Sequence, residues 1–188
     1  MPSPRTIERP TFQLIGRKTW ISGQDNSLFG QFWERCQIDG LFELFEQISG
    51  LEPGPQTGGV MLGVSCVEND SAKREFYYLI AVENPQNHPV ADLESYTVPA
   101  SQWAVFECRG KVPEAIVKAE MYAFMEWLPN SEYVHAKAPE MEVYPPGPDG
   151  SSEDSYCEFW LPVERKKRCF GSGRNATSIN PSITARSP

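Results

Sequence analysis

The chain has 188 residues, 40% of them hydrophobic, which suits one packed domain or one domain built from two similar halves. Its 25 acidic residues outnumber 17 basic ones, a net charge of -8 that argues against nucleic acid as a direct partner, because phosphate binding needs a basic surface. Cys36, Cys66, Cys108, Cys157 and Cys169 show no CxxC pairing, so reduced buried thiols are expected, and the lack of a signal core or of about 18 consecutive apolar residues predicts a soluble, cytoplasmic protein that does not enter the membrane.

Residues 1–10 are polar with three prolines and read as a flexible arm. Phe12 to Ile21 reads as a strand, and Gly23 to Ser27 as a turn before a helix. Leu28, Phe29, Phe32, Trp33 and Cys36 recur at helical spacing, and Leu41, Phe42, Leu44, Phe45 and Ile48 continue it after an interruption at Asp39-Gly40 that is either a kink or a short loop. Gly50 to Gly59 is a linker. Val60 to Val67 and Glu75 to Glu83 are strands of a hairpin around the charged turn Glu68 to Arg74.

After a second linker at Asn84 to Leu93 the order repeats. Tyr96 to Val98 leads into a strand at Gln102 to Cys108, with Trp20 and Trp103 at similar points of the two halves. Pro113 and Glu114 open a helix on which Ile116, Val117, Glu120, Ala123, Phe124, Trp127 and Leu128 hold helical spacing. Glu132 to Lys137 is an edge strand or extended segment. A strand, a Pro/Gly/Ser/Asp loop and a second strand then occupy Pro139 to Val163. The expected fold is α+β: tandem strand-helix-strand-strand (SHS2) repeats, about 11–83 and 94–164, with an antiparallel sheet, helices on one face and a ligand pocket on the other. Residues 165–188, opening with Arg165-Lys166-Lys167-Arg168, read as a disordered tail.

The chemistry sits in the last two strands, where alternate residues face opposite sides. One row carries Glu142 and Tyr144, and another carries Tyr156, Glu158 and Trp160. An acid among aromatics suits a flat, lipophilic, positively charged ligand, and the plain alternative is ordinary strand propensity with solvated acids. Trp33 and Phe32 fit either core or site, whereas helical spacing makes Trp127, Phe124, Phe29 and Phe45 core residues. Only His88 and His135 are present, without metal-ligand spacing, and no phosphate-binding loop occurs. Neither metal nor cofactor is therefore expected, and nothing in the sequence sets an oligomeric state.

The stretches EFYYLIAVE (75–83), VPASQWAVFECRG (98–110), MYAFMEWLP (121–129), APEMEVY (138–144) and EFWLPV (158–163) resemble, in order and spacing, the GyrI-like small-molecule-binding domain. That domain is the effector-binding part of some AraC-type and MerR-type multidrug regulators and also occurs alone, as in integron cassette proteins. The resemblance implies a pseudo-two-fold architecture and a pocket for lipophilic cations near the pseudo-axis. Its central glutamate matches Glu142, a strand tyrosine matches Tyr78, and Glu158 matches the acid before the closing Pro motif. No helix-turn-helix precedes the matched region, so direct DNA binding is not expected.

Three functions follow. The first is a stand-alone domain that binds amphipathic or cationic small molecules through Glu142, Tyr78, Tyr144, Glu158, Trp160 and Trp33, sensing or sequestering xenobiotics. The second is a hydrolase of cyclopropane-bearing electrophiles, as in some family members, with Glu142 as general acid/base and Tyr78, Trp33 or Trp160 as aromatic partner. The third is a protein-interaction or inhibitor module acting through acidic surface.

Overall fold

A computed structural model describes residues 3–23, 25–67, 74–147 and 150–167. The charged turn expected at 68–74 lies almost wholly outside these residues, as do Cys169 and most of the expected tail.

The chain runs β1 (Arg5–Arg9), β2 (Phe12–Ser22), α1 (Ser27–Ile38), α2 (Leu41–Leu51), β3 (Met61–Ser65) and β4 (Glu75–Glu83). It continues through β5 (Glu94–Val98), β6 (Ser101–Arg109) and α3 (Glu114–Tyr122), then a π-helical turn (Ala123–Trp127) and α4 (Leu128–Asn130). It closes with β7 (Tyr133–His135), β8 (Glu140–Tyr144) and β9 (Tyr156–Arg165). The interruption at Asp39-Gly40 is a break between two helices, with Gly40 at φ 77°, a conformation that costs glycine little.

One antiparallel sheet takes the order β1-β6-β9-β8-β3-β4-β2-β5, with β7 paired to β9. The middle of this order, β6-β9-β8 against β3-β4-β2, is the same three-strand unit used twice. The two copies join where β3 pairs with β8 and Gly63 faces Glu142. The leading strands cross over: β1 pairs with β6 of the second unit, and β5 with β2 of the first. Within the arm expected at residues 1–10, Arg5–Arg9 instead form a strand whose Ile7 packs on the core. Arg165 and Lys166, expected as the start of the tail, are held as well. β9 runs to Arg165, opposite Tyr133, and the Lys166 ammonium donates to the carbonyl of Ser131 at 2.7 Å. Trp20 and Trp103 are not equivalent: Trp20 pairs with Tyr77 and is 48% exposed, whereas Trp103 pairs with Pro162 and is fully buried.

Both helical units lie on one face. Phe32, Cys36, Leu41 and Phe45 pack on Ile21, Tyr78, Ile80 and Val82, while Ala115, Ile116, Ala119 and Ala123 pack on Phe106, Cys157 and Phe159. The opposite face is not open. The sheet curls until its ends share a core of Phe12, Leu14 and Val98 with Trp103, Met141 and Trp160. The central strand β4 is therefore buried on both sides and reads as a continuous apolar run. The linker after α2 is pinned down: the buried Glu83 carboxylate accepts from the Gln56 and Thr57 amides at 3.0 and 2.8 Å and from the Thr57 hydroxyl at 2.9 Å. No helix among the described residues is long and apolar enough to cross a membrane.

Candidate functional site

Register decides which acids meet. β8 pairs with β9 so that Glu142 is opposite Phe159 and Val143 opposite Glu158. Phe159 faces the helices and Val143 faces the curled interior, so the two acids point to opposite sides of the sheet. Glu142 and Tyr144 therefore look toward the helices, and the pocket expected on the far face lies between the helical units instead.

This groove has a volume of about 1550 Å³, larger than the roughly 300–1,000 Å³ of common small-molecule pockets. Phe29 and Trp33 of α1 form one wall, and Ile116 and Glu120 of α3 form the other. Glu142 lies on the floor. Its Oε2 accepts from the Tyr78 hydroxyl at 2.9 Å and the Tyr144 hydroxyl at 2.7 Å. The Tyr78 oxygen in turn accepts from the Trp33 indole N–H at 2.9 Å. Among the described residues no donor reaches Oε1.

The rings that hold the acid are packed edge to face: Trp33 on Tyr144 at 5.2 Å between centroids, and Phe29 on Tyr78 at 4.8 Å. Gly63 completes the floor, because a Cβ there would collide with the Tyr78 hydroxyl and the Glu142 carboxylate.

Burial raises the Glu142 pKa, hydrogen bonds from Tyr144 and Tyr78 oppose the rise, and the nearby Glu140 charge adds to it. Burial, then Glu142, pushes both tyrosines well above the ordinary phenol value, so they remain donors. Glu140 accepts from His135 Nε2 at 3.1 Å at the groove's edge. Burial, followed by the charges of Glu142 and Glu140, pushes the Glu120 carboxyl up to about 8 against a smaller opposing effect of Arg74.

Of the six site residues expected from sequence, Glu142, Tyr78, Tyr144 and Trp33 come together. Glu158 and Trp160 do not, because their row turns into the curled interior. There Glu158 accepts from Arg5 and Tyr156 at 2.7 Å through one oxygen and from the Trp160 indole at 2.7 Å through the other. Burial works to raise its pKa, and those three donors outweigh it and hold it low. This cluster fastens β1 to the second unit. Glu158→Gln is expected to lower stability by about 1–3 kcal/mol and leave cation affinity within about twofold, measured by thermal melting and titration; a large affinity loss would return Glu158 to the site.

Phe45 and Trp127 are core, as their spacing indicated, but Phe29 and Phe124 line the groove. Glu120 was missed as a site residue, although its signal was visible: a carboxylate at a position where the stripe of Ile116 and Ala123 calls for an apolar side chain.

The family described as GyrI-like small molecule binding domain matches residues 2–164. No curated protein matches. Among solved structures, SAV2435 bound to tetraphenylphosphonium is 25% identical with a TM-score of 0.68, covering 87% of this chain and 94% of that one. Two others share the fold. Integron cassette protein VCH_CASS2 from the mobile metagenome of Vibrio cholerae is 12% identical, with a TM-score of 0.60 and 86% and 96% of the two chains covered. EcmrR in its DNA complex is 15% identical, with a TM-score of 0.60 and 86% and 57% covered.

Proposed function

The chain belongs to the GyrI-like small molecule binding domain family, and we propose that its groove captures lipophilic cations, serving to sense or sequester xenobiotics. The observation that carries this reading is the Glu142 carboxylate, held at the floor of an aromatic groove by two tyrosine hydroxyls with one oxygen left open. A cation placed there meets a desolvated negative charge, and each ring face adds about 0.5–2 kcal/mol. The bound tetraphenylphosphonium of SAV2435 is a ligand of this class. The donors are oriented before binding, so little ordering is needed when the ligand arrives.

The test is a paired titration with methyltriphenylphosphonium and triphenylphosphine oxide, which share their rings and differ in net charge. The cation should bind at least about tenfold more tightly, equivalent to about 1.4 kcal/mol. Equal affinities would reject the reading.

A further inference from the structure

We infer that Glu120 makes the groove selective for ligands with two separated positive centres, one held by Glu142 on the floor and the second by Glu120 on the α3 wall. The inference rests on the reading of the groove as a cation site and specifies its ligand class.

Five acids among the described residues are not exposed: Glu83, Glu120, Glu140, Glu142 and Glu158. Four have donors. Glu83 takes the Gln56 and Thr57 groups, Glu140 takes His135, Glu142 takes two tyrosines, and Glu158 takes Arg5, Tyr156 and Trp160. Glu120 alone accepts no hydrogen bond and forms no ion pair among these residues. A half-buried carboxylate without donors is costly, and the fold supplies the other four.

Among the described residues the surroundings of Glu120 supply no partner, and Lys137, which also lines the groove, forms no ion pair with it. From β8 it faces Glu142 and Glu140, both of its own sign. Arg74, the base that acts on it, donates to the Gly23 carbonyl and the Asn26 side chain, both at 2.7 Å, and lies 5.8 Å over the Phe29 ring. His135 from β7 is engaged by Glu140. The wall from α1 presents Phe29 and Trp33, which suit a lipophilic spacer between two charged heads. The groove volume of about 1550 Å³ leaves space beyond a one-headed ligand.

The experiment compares hexamidine, two benzamidinium heads on an alkyl chain, with 4-hexyloxybenzamidine, its one-headed counterpart, by calorimetric titration of the full chain. It is run at a pH above the value of about 8 to which burial pushes Glu120, where amidinium groups remain charged. The wild type should favour hexamidine by about tenfold or more, beyond the roughly twofold statistical advantage of two heads. Glu120→Gln should remove that preference, weakening hexamidine at least about fivefold more than it weakens 4-hexyloxybenzamidine. A preference of only about twofold in the wild type, or one that survives in Glu120→Gln, overturns the inference while one-headed binding leaves the cation site standing. If neither probe binds the folded wild type, the cation-site reading falls and this inference falls with it.

Discussion

Glu142→Gln should weaken tetraphenylphosphonium binding by about 30- to 100-fold, a loss of about 2–3 kcal/mol. Glutamine has nearly the same shape, and its amide oxygen can accept the Tyr78 and Tyr144 hydroxyls that now converge on Oε2. The rings of Trp33 and Tyr144 keep their contact, so the change removes charge and little else. Acid should act in the same direction. Burial raises the Glu142 pKa, so cation affinity falls as pH drops through that value, and the Gln variant should show a flatter profile. Fluorescence or calorimetric titration reads both effects. Unchanged affinity in the variant would remove Glu142 from the mechanism.

Glu120→Gln is expected to raise stability at pH 8 by about 1–3 kcal/mol, or about 2–4 °C in Tm for each kcal/mol. The sign follows from the carboxyl's position. Its pKa rises from 4.5 to about 8 on folding, through burial first and then through Glu142 and Glu140. Between those values the folded protein holds a proton that the unfolded chain has released, so stability falls as pH rises through the window. Partial solvent access to Glu120 makes the effect smaller than the full shift implies. The advantage of the variant should therefore vanish below about pH 4.5. Thermal melts of both proteins at the two ends of the window decide it. A gain independent of pH would point to helix propensity rather than a buried charge.

The strands and helices were legible because their periods are clear. Phe76, Tyr78, Ile80 and Val82 alternate along β4, and Phe32, Cys36, Leu41 and Phe45 mark the faces of α1 and α2. The association of Glu142 with Tyr78, Tyr144 and Trp33 was legible in part, since β8 shows an acid beside an aromatic and the family resemblance pointed to Tyr78. What could not be read was the side to which each acid turns. The rows of β8 and β9 look alike in composition, and only the pairing of Glu142 with Phe159 separates them. The curl of the sheet was equally hidden, because it depends on contacts between the two ends of the sheet, such as those of Phe12, Leu14 and Val98 with Trp103 and Trp160, residues far apart in sequence. β1 reads as an arm in sequence because RTIER has one central apolar residue and is flanked by prolines. Glu120 was visible only as a defect in an apolar stripe, and such a defect acquires meaning once a concavity is seen beside it.

The crossed leading strands bear on how a ligand reaches the floor. Because β1 belongs to the second unit's edge and β5 to the first unit's, the two repeats are laced together at their margins as well as along the β3–β8 seam. Parting them like a clamshell would break all three ladders at once, so the repeats act as one plate and do not hinge about the pseudo-axis. Any breathing of the groove then falls to its walls: the rotamers of Phe29, Trp33 and Phe124, and the α3 helix, which passes into a π-helical turn beside the mouth. Guest size is thus set by how far those side chains yield over a floor that stays still.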